Sequence, residues 1–305
     1  MHSLPLGVKF FQRGWLSSNN VLLHDAHQAI LIDTGYWTHA DQTFALVSSI
    51  LDSRPLSAIF NTHLHSDHCG GNARLQAHYP DLQTRIPPGH APYVDDWDAN
   101  HLTHVPTGQH CPHFKRTHLL NDGDTFVVAD LVWRIHAAPG HDPHSVVIFN
   151  ESLGILISAD ALWENGFGVV FPEIEGISAF DEVESTLQII ENLAPAIVLP
   201  GHGAAFTDVD GALIRARSRL DQFRTSPEKH ANYAAKVLLK FKLLELQKCK
   251  VSELISWASN TAYLDILFKK YSHNISFEAW CVELCKHLEK SGACVLNGLE
   301  ITNAD

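Results

Sequence analysis

Histidine and aspartate residues gather in one short segment, Thr62-His63-Leu64-His65-Ser66-Asp67-His68. Imidazole nitrogens and carboxylate oxygens are ligands that zinc and similar divalent metals prefer. His63 and His65 alternate by two, so both side chains can face the same way where a predicted strand ends. Asp67 and His68 follow in the next turn. The segment therefore predicts ligands for two adjacent metal ions.

Three further candidate ligands each follow a predicted buried strand: His141 after residues 137–140, Asp160 after residues 156–159, and His202 after residues 198–201. The glycines directly before His141 and His202 permit the tight turn that aims an imidazole back towards the strand ends. The alternative is a set of unrelated surface histidines in a chain that has 21 of them. That alternative would suit one isolated histidine, but the combined pattern favours a metal centre.

Periodicity supplies the elements that must position these residues. Alternating or short apolar runs predict strands at residues 8–12, 20–24, 29–32, 57–61, 125–128, 131–138, 146–149, 155–158 and 196–199. Helices are predicted at residues 40–51, 70–78, 180–193 and 208–223. Ser178 and Asp181 form a predicted capping box at the start of the third of these helices.

The chain changes character near residue 223, which divides it into a predicted catalytic domain (1–222) and a small helical module (223–305). Amphipathic helices in the module, at residues 234–241, 251–258 and 277–288, precede a predicted hairpin with an Asn297-Gly298 turn. This order suggests a winged-helix-like fold. Within the first domain, residues 87–118 are rich in Pro, Gly, Asp and His and are predicted to be a long loop of polar residues over the cleft.

Composition narrows the function classes. The 305-residue chain has a formal charge of −12, and its acidic excess lies in the first 220 residues, which disfavours phosphate-rich partners. No apolar run is long enough to span a bilayer, and residues 1–15 have no signal-peptide pattern. The six cysteines form no CxxC pair and no disulfide-like framework. We therefore expect a cytoplasmic protein that binds neither membranes nor nucleic acid.

Five motifs in order along residues 1–220 resemble the metallo-β-lactamase-fold superfamily. They are Thr62 to Gly71 (THLHSDHCGG), Asp33-Thr34-Gly35, Pro139-Gly140-His141, Ser158-Ala159-Asp160 and Pro200-Gly201-His202-Gly203. The resemblance implies an α/β fold, an αββα sandwich with metals at one edge between the sheets. The C-terminal module resembles the winged-helix tail of some hydrolases of this fold, some of which cut RNA.

The resemblance also implies a ligand set for two divalent metal ions. It assigns His63, His65 and His141 to one metal, Asp67, His68 and His202 to the other, and Asp160 to both. Asp33 matches an aspartate that orients a ligand histidine in the family, although a purely turn-forming role is the alternative. Zinc is the first choice for these ligands, and iron and manganese also suit them.

This ligand set predicts a hydrolytic mechanism. Two metals about 3.5–4 Å apart hold a bridging water and lower its pKa, so that a hydroxide can attack a carbonyl or a phosphorus. One metal polarises the substrate oxygen. Asp67 is the predicted catalytic residue, because it can take up the proton as the hydroxide is consumed.

Several positions bear on the substrate. Many zinc β-lactamases of this fold have Cys where this chain has Asp160, and the motif at residues 62–71 resembles hydroxyacylglutathione hydrolases most. Lactonases of the fold have Tyr where this chain has Trp163. Trp163 and His144 are predicted pocket residues. We expect a small-molecule thioester or activated ester as the substrate, with a lactonase and an endoribonuclease or phosphodiesterase as alternatives.

The C-terminal module also bears on possible partners. Lys236, Lys240 and Lys242 are predicted to form a solvated helix face rather than a nucleic-acid patch. The broad apolar faces of the module's helices must be covered by the first domain or by a second copy of the chain, so a homodimer is kept open.

Overall fold

The computed structural model describes residues 4–272 and 274–304. Residues 1–3 of the first predicted domain, and His273 and Asp305 of the second, lie outside the described residues. A six-stranded sheet runs in chain order as β1 (Val8–Phe11), β2 (Asn20–His24), β3 (Ala29–Ile32), β4 (Ala58–Phe60), β5 (Gln83–Ile86) and β6 (His118–Leu119). A five-stranded sheet contains β7 (Thr125–Val128), β8 (Leu131–Ala137), β9 (Val146–Asn150), β10 (Ile155–Ala159) and β11 (Ile197–Pro200), in the order β11-β10-β9-β8-β7.

Helices cover the outer face of each sheet. The helices of this part are α1 (Ala40–Leu51), α2 (Ser66–Cys69), α3 (Asn72–His78), α4 (Ala91–Asp95), α5 (Phe171–Glu175), α6 (Phe180–Leu193) and α7 (Val209–Thr225). Alternate residues of one strand enter different cores: Leu31 packs with Val47 of α1, whereas Ile30 and Ile32 pack towards the other sheet. On the far side, α6 and α7 pack on the five-stranded sheet. The predicted αββα sandwich is confirmed.

The C-terminal part consists of α8 (Pro227–Leu246), α9 (Val251–Ser259), α10 (Ala262–Tyr271) and α11 (Phe277–Lys290), with a sheet of β12 (Lys248–Lys250), β13 (Cys294–Asn297) and β14 (Glu300–Asn303) in the order β12-β14-β13. Leu238, Leu264 and Leu284 from three of these helices share one core with Val169 and Ile174 of the first part. The apolar helix faces are thus covered within the chain. The winged-helix assignment and the boundary at residue 223 stay predictions.

Two local predictions are wrong. At the start of α6, the Glu173 carboxylate accepts hydrogen bonds from the backbone N–H groups of Ala179 and Phe180 (2.7 and 3.2 Å), so the expected capping box at Ser178 is absent. In the C-terminal hairpin, Asn297 pairs with Glu300. The turn is therefore centred on residues 298–299, with Gly298 first at φ 61°.

The segment 87–118 is more ordered than the predicted loop. It contains α4, ends in the edge strand β6, and buries Val94, Leu102 and Phe114 against Leu64 beside the histidine motif. His101 is exposed and bonds to Asp98, as expected for a loop histidine. His90 and His104, by contrast, are buried. The segment is thus a packed subregion rather than a polar flap.

All described helices are too short or too polar to cross a lipid bilayer.

Candidate metal centre

Strand ends bring the seven candidate ligands to one place between the sheets. His63 and His65 follow β4, and His141, Asp160 and His202 follow β8, β10 and β11. Asp67 and His68 lie in the single turn of α2. Close approach requires glycine at position 201, because a Cβ there would lie 2.4 Å from Asp160 Oδ1.

His63, His65 and His141 form the first cluster, in which one nitrogen of each ring lies within 4.8 Å of the others. His65 Nδ1 lies 2.9 Å from His141 Nε2. His141 Nδ1 donates a hydrogen bond to the Val169 carbonyl oxygen (2.5 Å), which leaves the lone pair of His141 on Nε2, facing the cluster. This is the trio that the family resemblance assigned to one metal.

Asp67, His68 and His202 form the second cluster, under the same 4.8 Å limit. Asp67 Oδ2 lies 3.0 Å from His202 Nε2 and 3.7 Å from His68 Nε2. These are the residues that the family resemblance assigned to the other metal.

Asp160 lies between the two clusters. Its Oδ2 is 3.4 Å from His141 Nε2, and its Oδ1 is 3.4 Å from His68 Nε2 and 3.8 Å from His202 Nε2. The carboxylate therefore offers one oxygen to each cluster, which is the position expected of a bridging ligand.

Buried ring nitrogens without hydrogen-bond partners indicate whether the centre suits a metal. The Nε2 atoms of His63 and His68 are buried, and neither has a hydrogen-bond partner among residues 4–272 and 274–304. A buried polar atom without a partner costs free energy that a ligand can recover. The donor set of neutral imidazoles and carboxylates therefore fits divalent cations.

The surroundings of the same groups set their protonation states. Burial lowers the pKa values of His63 and His65 well below the usual range for histidine, so both rings are neutral and keep a lone pair at pH 7. Burial opposes ionisation of Asp160, yet the imidazoles of His68 and His202 lower the pKa of its carboxyl well below the usual range. Burial opposes a charge on His68, yet the carboxylates of Asp160 and Asp33 raise its pKa well above the usual range for histidine. Two rings are therefore ready to ligate, and His68 would give up a proton when a cation binds.

Asp33 connects the six-stranded sheet to the histidine motif. Its Oδ1 accepts the Thr62 N–H (2.9 Å), and its Oδ2 accepts the Thr62 hydroxyl (2.8 Å) and lies 2.7 Å from His68 Nδ1. A carboxylate that holds Nδ1–H leaves His68 Nε2 free to act as a ligand. This contact supports the orienting role over a purely turn-forming one.

Replacing Asp33 with asparagine should weaken metal binding by about 10–100-fold, the effect typical of partners that orient ligand histidines. Competition with a chelator measures the affinity. Asp25→Asn is a matched control, because Asp25 also accepts backbone N–H groups in a turn, from His27 (2.7 Å) and Gln28 (2.9 Å). Equal losses of metal affinity in both variants would show that Asp33 only forms the turn and does not orient His68.

A cavity of about 350 Å³ opens onto the centre. His65, Asp67, His141, Asp160 and His202 form its polar end. Its other walls are largely apolar and come from both parts of the chain: Trp15, Val169, Phe171, Val237, Phe241, Leu244 and Leu288. The metal centre thus lies at the end of an apolar cavity, and helix α8 contributes much of the wall.

The two predicted pocket residues lie in different surroundings. Trp163 lines the cavity, and its Nε1 donates a hydrogen bond to Asp160 Oδ1 (3.2 Å). His144 is not among the lining residues. Its ring lies 4.7 Å from that of His90, and its backbone N–H donates to Asp142 Oδ1 (2.7 Å). The Asp142 carboxylate lies 3.8 Å from His65 Nε2. His144 therefore contacts Asp142, a neighbour of the ligand His65.

Sequence reasoning missed one residue of this region, Trp15. The Trp15 ring stacks on the His202 ring at 5.2 Å with an interplanar angle of 2°, and Phe171 lies 4.6 Å from the His65 ring. Trp15 lies between strands β1 and β2, far from the motif in sequence. No local pattern identifies it.

Known proteins resemble this chain in sequence and in fold. Residues 13–202 match the family described as the metallo-beta-lactamase superfamily. A hydroxyacylglutathione hydrolase from Crocosphaera subtropica is 29% identical over 195 residues, covering 61% of this chain and 62% of the relative. An atrochrysone carboxyl ACP thioesterase from Aspergillus fumigatus is 27% identical over 209 residues, covering 68% of this chain and 42% of the relative. The chain thus spans less than two thirds of the length of these curated relatives.

Solved structures share the fold over nearly the whole chain. A metallo-beta-lactamase family protein from Thermus thermophilus has a TM-score of 0.58 at 18% identity, covering 99% of this chain and 100% of its own. A beta-lactamase domain protein from Burkholderia ambifaria has a TM-score of 0.58 at 20% identity, covering 99% and 94%. The likeness in fold therefore includes the C-terminal helices. With the family match over more than half of its length, the chain belongs to the metallo-β-lactamase superfamily.

Proposed function

We propose that this chain is a metal-dependent hydrolase that acts on a thioester, or another activated ester, of a small molecule. The observation that carries the proposal is the pair of His/Asp clusters that share Asp160 and meet at the end of an apolar cavity. Two relatives, named as a hydroxyacylglutathione hydrolase and an acyl carrier protein thioesterase, support the thioester class.

Two divalent cations would complete the centre, with zinc as the first choice and iron or manganese as alternatives. His63, His65 and His141 would hold one, Asp67, His68 and His202 the other, and Asp160 both. When bound, such a pair supplies an activated water and a Lewis acid for the substrate carbonyl. The protein's contribution is to fix these ligands, as Asp33 does for His68 and the Val169 carbonyl does for His141.

Asp67 and Trp163 have distinct proposed tasks. The Asp67 carboxylate lines the cavity next to His202, where it can accept the proton that the attacking water loses. The Trp163 N–H holds Asp160 Oδ1 in place, and its ring lies 5.4 Å from that of His202. The stacked Trp15 ring restricts the His202 ring further. These contacts make the centre rigid before substrate binds.

The cavity walls argue for an apolar acyl group in the substrate. Val237, Phe241 and Leu244 of α8, with Phe171 beside His65, offer mainly hydrocarbon surface. A cavity of this size and character suits a small organic ligand with one reactive polar end. The scissile carbonyl would lie at the His/Asp end and the acyl chain along α8.

Replacing Leu244 with tryptophan should shorten the acyl chain that the cavity accepts. Since added volume in an apolar pocket excludes bulk there, kcat/KM for a long-chain acyl thioester should fall by at least about tenfold, while a short-chain thioester is hydrolysed almost unchanged. Leu246→Trp is the matched control, because Leu246 lies on the same helix but is 42% exposed and outside the cavity lining. A uniform loss for all chain lengths would exclude this placement of the acyl group.

We further propose that nucleic acid is not a partner, against the endoribonuclease alternative. Lys242 pairs with Glu245 at 2.8 Å, and Lys240 donates hydrogen bonds to the carbonyl oxygens of Ala293 (2.6 Å) and Ala304 (2.7 Å). Lys240 and Lys236 also line the cavity. The interpretation of these lysines as one solvated face is therefore wrong, and they are not arranged for a phosphate backbone.

Other lines of the proposal concern assembly and location. A lactonase activity remains the alternative to thioester hydrolysis. Lactonases of this fold have tyrosine at the position of Trp163, which here lies next to the centre. Because the apolar helix faces are covered within the chain, a homodimer is not needed to bury them, and it stays a prediction. All six cysteines are free thiols, which supports a cytoplasmic location.

A further inference from the structure

A second kind of ligand cluster lies behind the histidine motif, outside the centre described above. Cys69, His104 and Cys111 each offer a ligand atom within 4.8 Å of the others. The side chains are buried, with exposures of 0%, 3% and 6%. Cys69 ends helix α2, directly after His68, whereas the other two lie in the segment 87–118. The fold therefore joins distant parts of the chain at a Cys2His cluster.

The sulphur separation suits one shared cation. Cys69 Sγ lies 3.7 Å from Cys111 Sγ. Two thiolates bound tetrahedrally to one zinc ion, each at about 2.3 Å, stand about 3.8 Å apart. A disulfide would require a separation of about 2.05 Å, so the thiols must move to form one.

His104 is oriented as a ligand histidine is. Its Nε2 donates a hydrogen bond to the Leu64 carbonyl oxygen at 3.0 Å, so the lone pair is on Nδ1. Nδ1 is buried and finds no hydrogen-bond partner in the part of the chain that the structure describes. Burial lowers the pKa of His104 to about 4, so the ring is neutral at pH 7. A cation would satisfy this otherwise unpaired atom.

We propose that Cys69, His104 and Cys111 form a third metal site that binds a thiophilic cation, with zinc as the first candidate and copper(I) as the alternative that a three-ligand set of this softness allows. The cluster does not face the substrate cavity, since none of the three residues lines it. Its role is structural. The ion would fasten the segment 87–118 to α2, the helix that carries Asp67 and His68.

The packing around the cluster agrees with this role. Cys69 and Cys111 share an apolar cluster with Leu64, Leu102 and Phe114. A cation at its centre would link the short helix of the motif to the segment through bonds far stronger than apolar contacts. Removing the ion should therefore loosen the support of the catalytic ligands without removing any of them.

Cobalt(II) loading tests the site with a readout that is independent of hydrolysis. The His/Asp clusters contain no thiolate, so a sulphur-to-cobalt charge-transfer band cannot come from them, and cysteine variants identify its source. We expect this band in the fully reduced protein, with one cobalt ion bound beyond those of the His/Asp clusters. Cys111→Ser should lose the band and one metal equivalent, whereas the control Cys249→Ser should keep both, because Cys249 lies in β12.

The proposal is overturned by a reduced, cobalt-saturated protein that has no charge-transfer band. It is equally overturned if the band persists in Cys111→Ser and disappears in Cys249→Ser. The spectrum of the unaltered protein carries the test even if Cys111→Ser fails to fold. In that case His104→Ala, which keeps both thiols, should shift the band and weaken cobalt binding, and an unchanged spectrum would contradict the assignment of His104.

Discussion

Replacing Asp160 with alanine is expected to remove hydrolytic activity and at least one metal equivalent per chain. The physical reason is its position, with nitrogen atoms of His68 and His141 each 3.4 Å from its oxygens. Loss of a residue that only orients a ligand weakens metal binding by about 10–100-fold, so loss of a shared ligand should exceed about 100-fold. Elemental analysis and hydrolysis of an acyl thioester, measured on the same preparation, check both effects.

Asp41→Ala is the control for that experiment, because Asp41 is an exposed carboxylate whose partner is Arg74. His63→Ala should repeat the result of Asp160→Ala, since His63 is one of the three ligands proposed for the first metal. A variant that lacks the Asp160 carboxylate and still holds its full complement of metal would show that the carboxylate is not a ligand.

Asp67→Asn should lower kcat by about 100- to 10,000-fold at saturating metal while KM changes by only a few fold. The amide keeps the shape of the side chain but can neither accept a proton nor offer an anionic oxygen to the second cluster, where Asp67 Oδ2 lies 3.0 Å from His202 Nε2. Steady-state kinetics over a range of zinc concentrations separates the loss of metal from the loss of the proton acceptor.

If turnover of Asp67→Asn recovers fully as zinc is raised, Asp67 is a ligand only and has no role in proton transfer. Unchanged turnover at low zinc would exclude both roles.

The positions of the candidate ligands follow from local sequence. An alternating strand ends shortly before His141, and a continuously apolar strand ends directly before Asp160. Strands that run in the same direction bring such ends to one edge of the sheet. The spacing of His63, His65 and Asp67 works in the same way, because one strand end and one helical turn set their directions. The αββα sandwich, by contrast, was expected from the resemblance of the five motifs to the metallo-β-lactamase-fold superfamily.

Features that depend on distant partners were not predictable. The cap of α6 is Glu173, which no local capping pattern indicates. The burial of His104 depends on the Leu64 carbonyl oxygen, 40 residues away, and composition alone suggested a polar loop. Trp15 reaches His202 only because the sheets fold together. The sequence left Asp33 with an orienting or a turn-forming role, and its contact with His68, which is 35 residues away, favours the orienting role.

The most direct test of the proposed function compares one preparation before and after metal loading, with an acyl thioester as the substrate and a lactone, a phosphodiester, a β-lactam and single-stranded RNA beside it. The chelated protein should be inactive. Added zinc should restore thioester hydrolysis in the unaltered chain but not in Asp160→Ala. Full thioester hydrolysis by the metal-free protein would contradict the metal-dependent mechanism, and a zinc-loaded protein that cleaves RNA but no thioester would contradict the proposed substrate class.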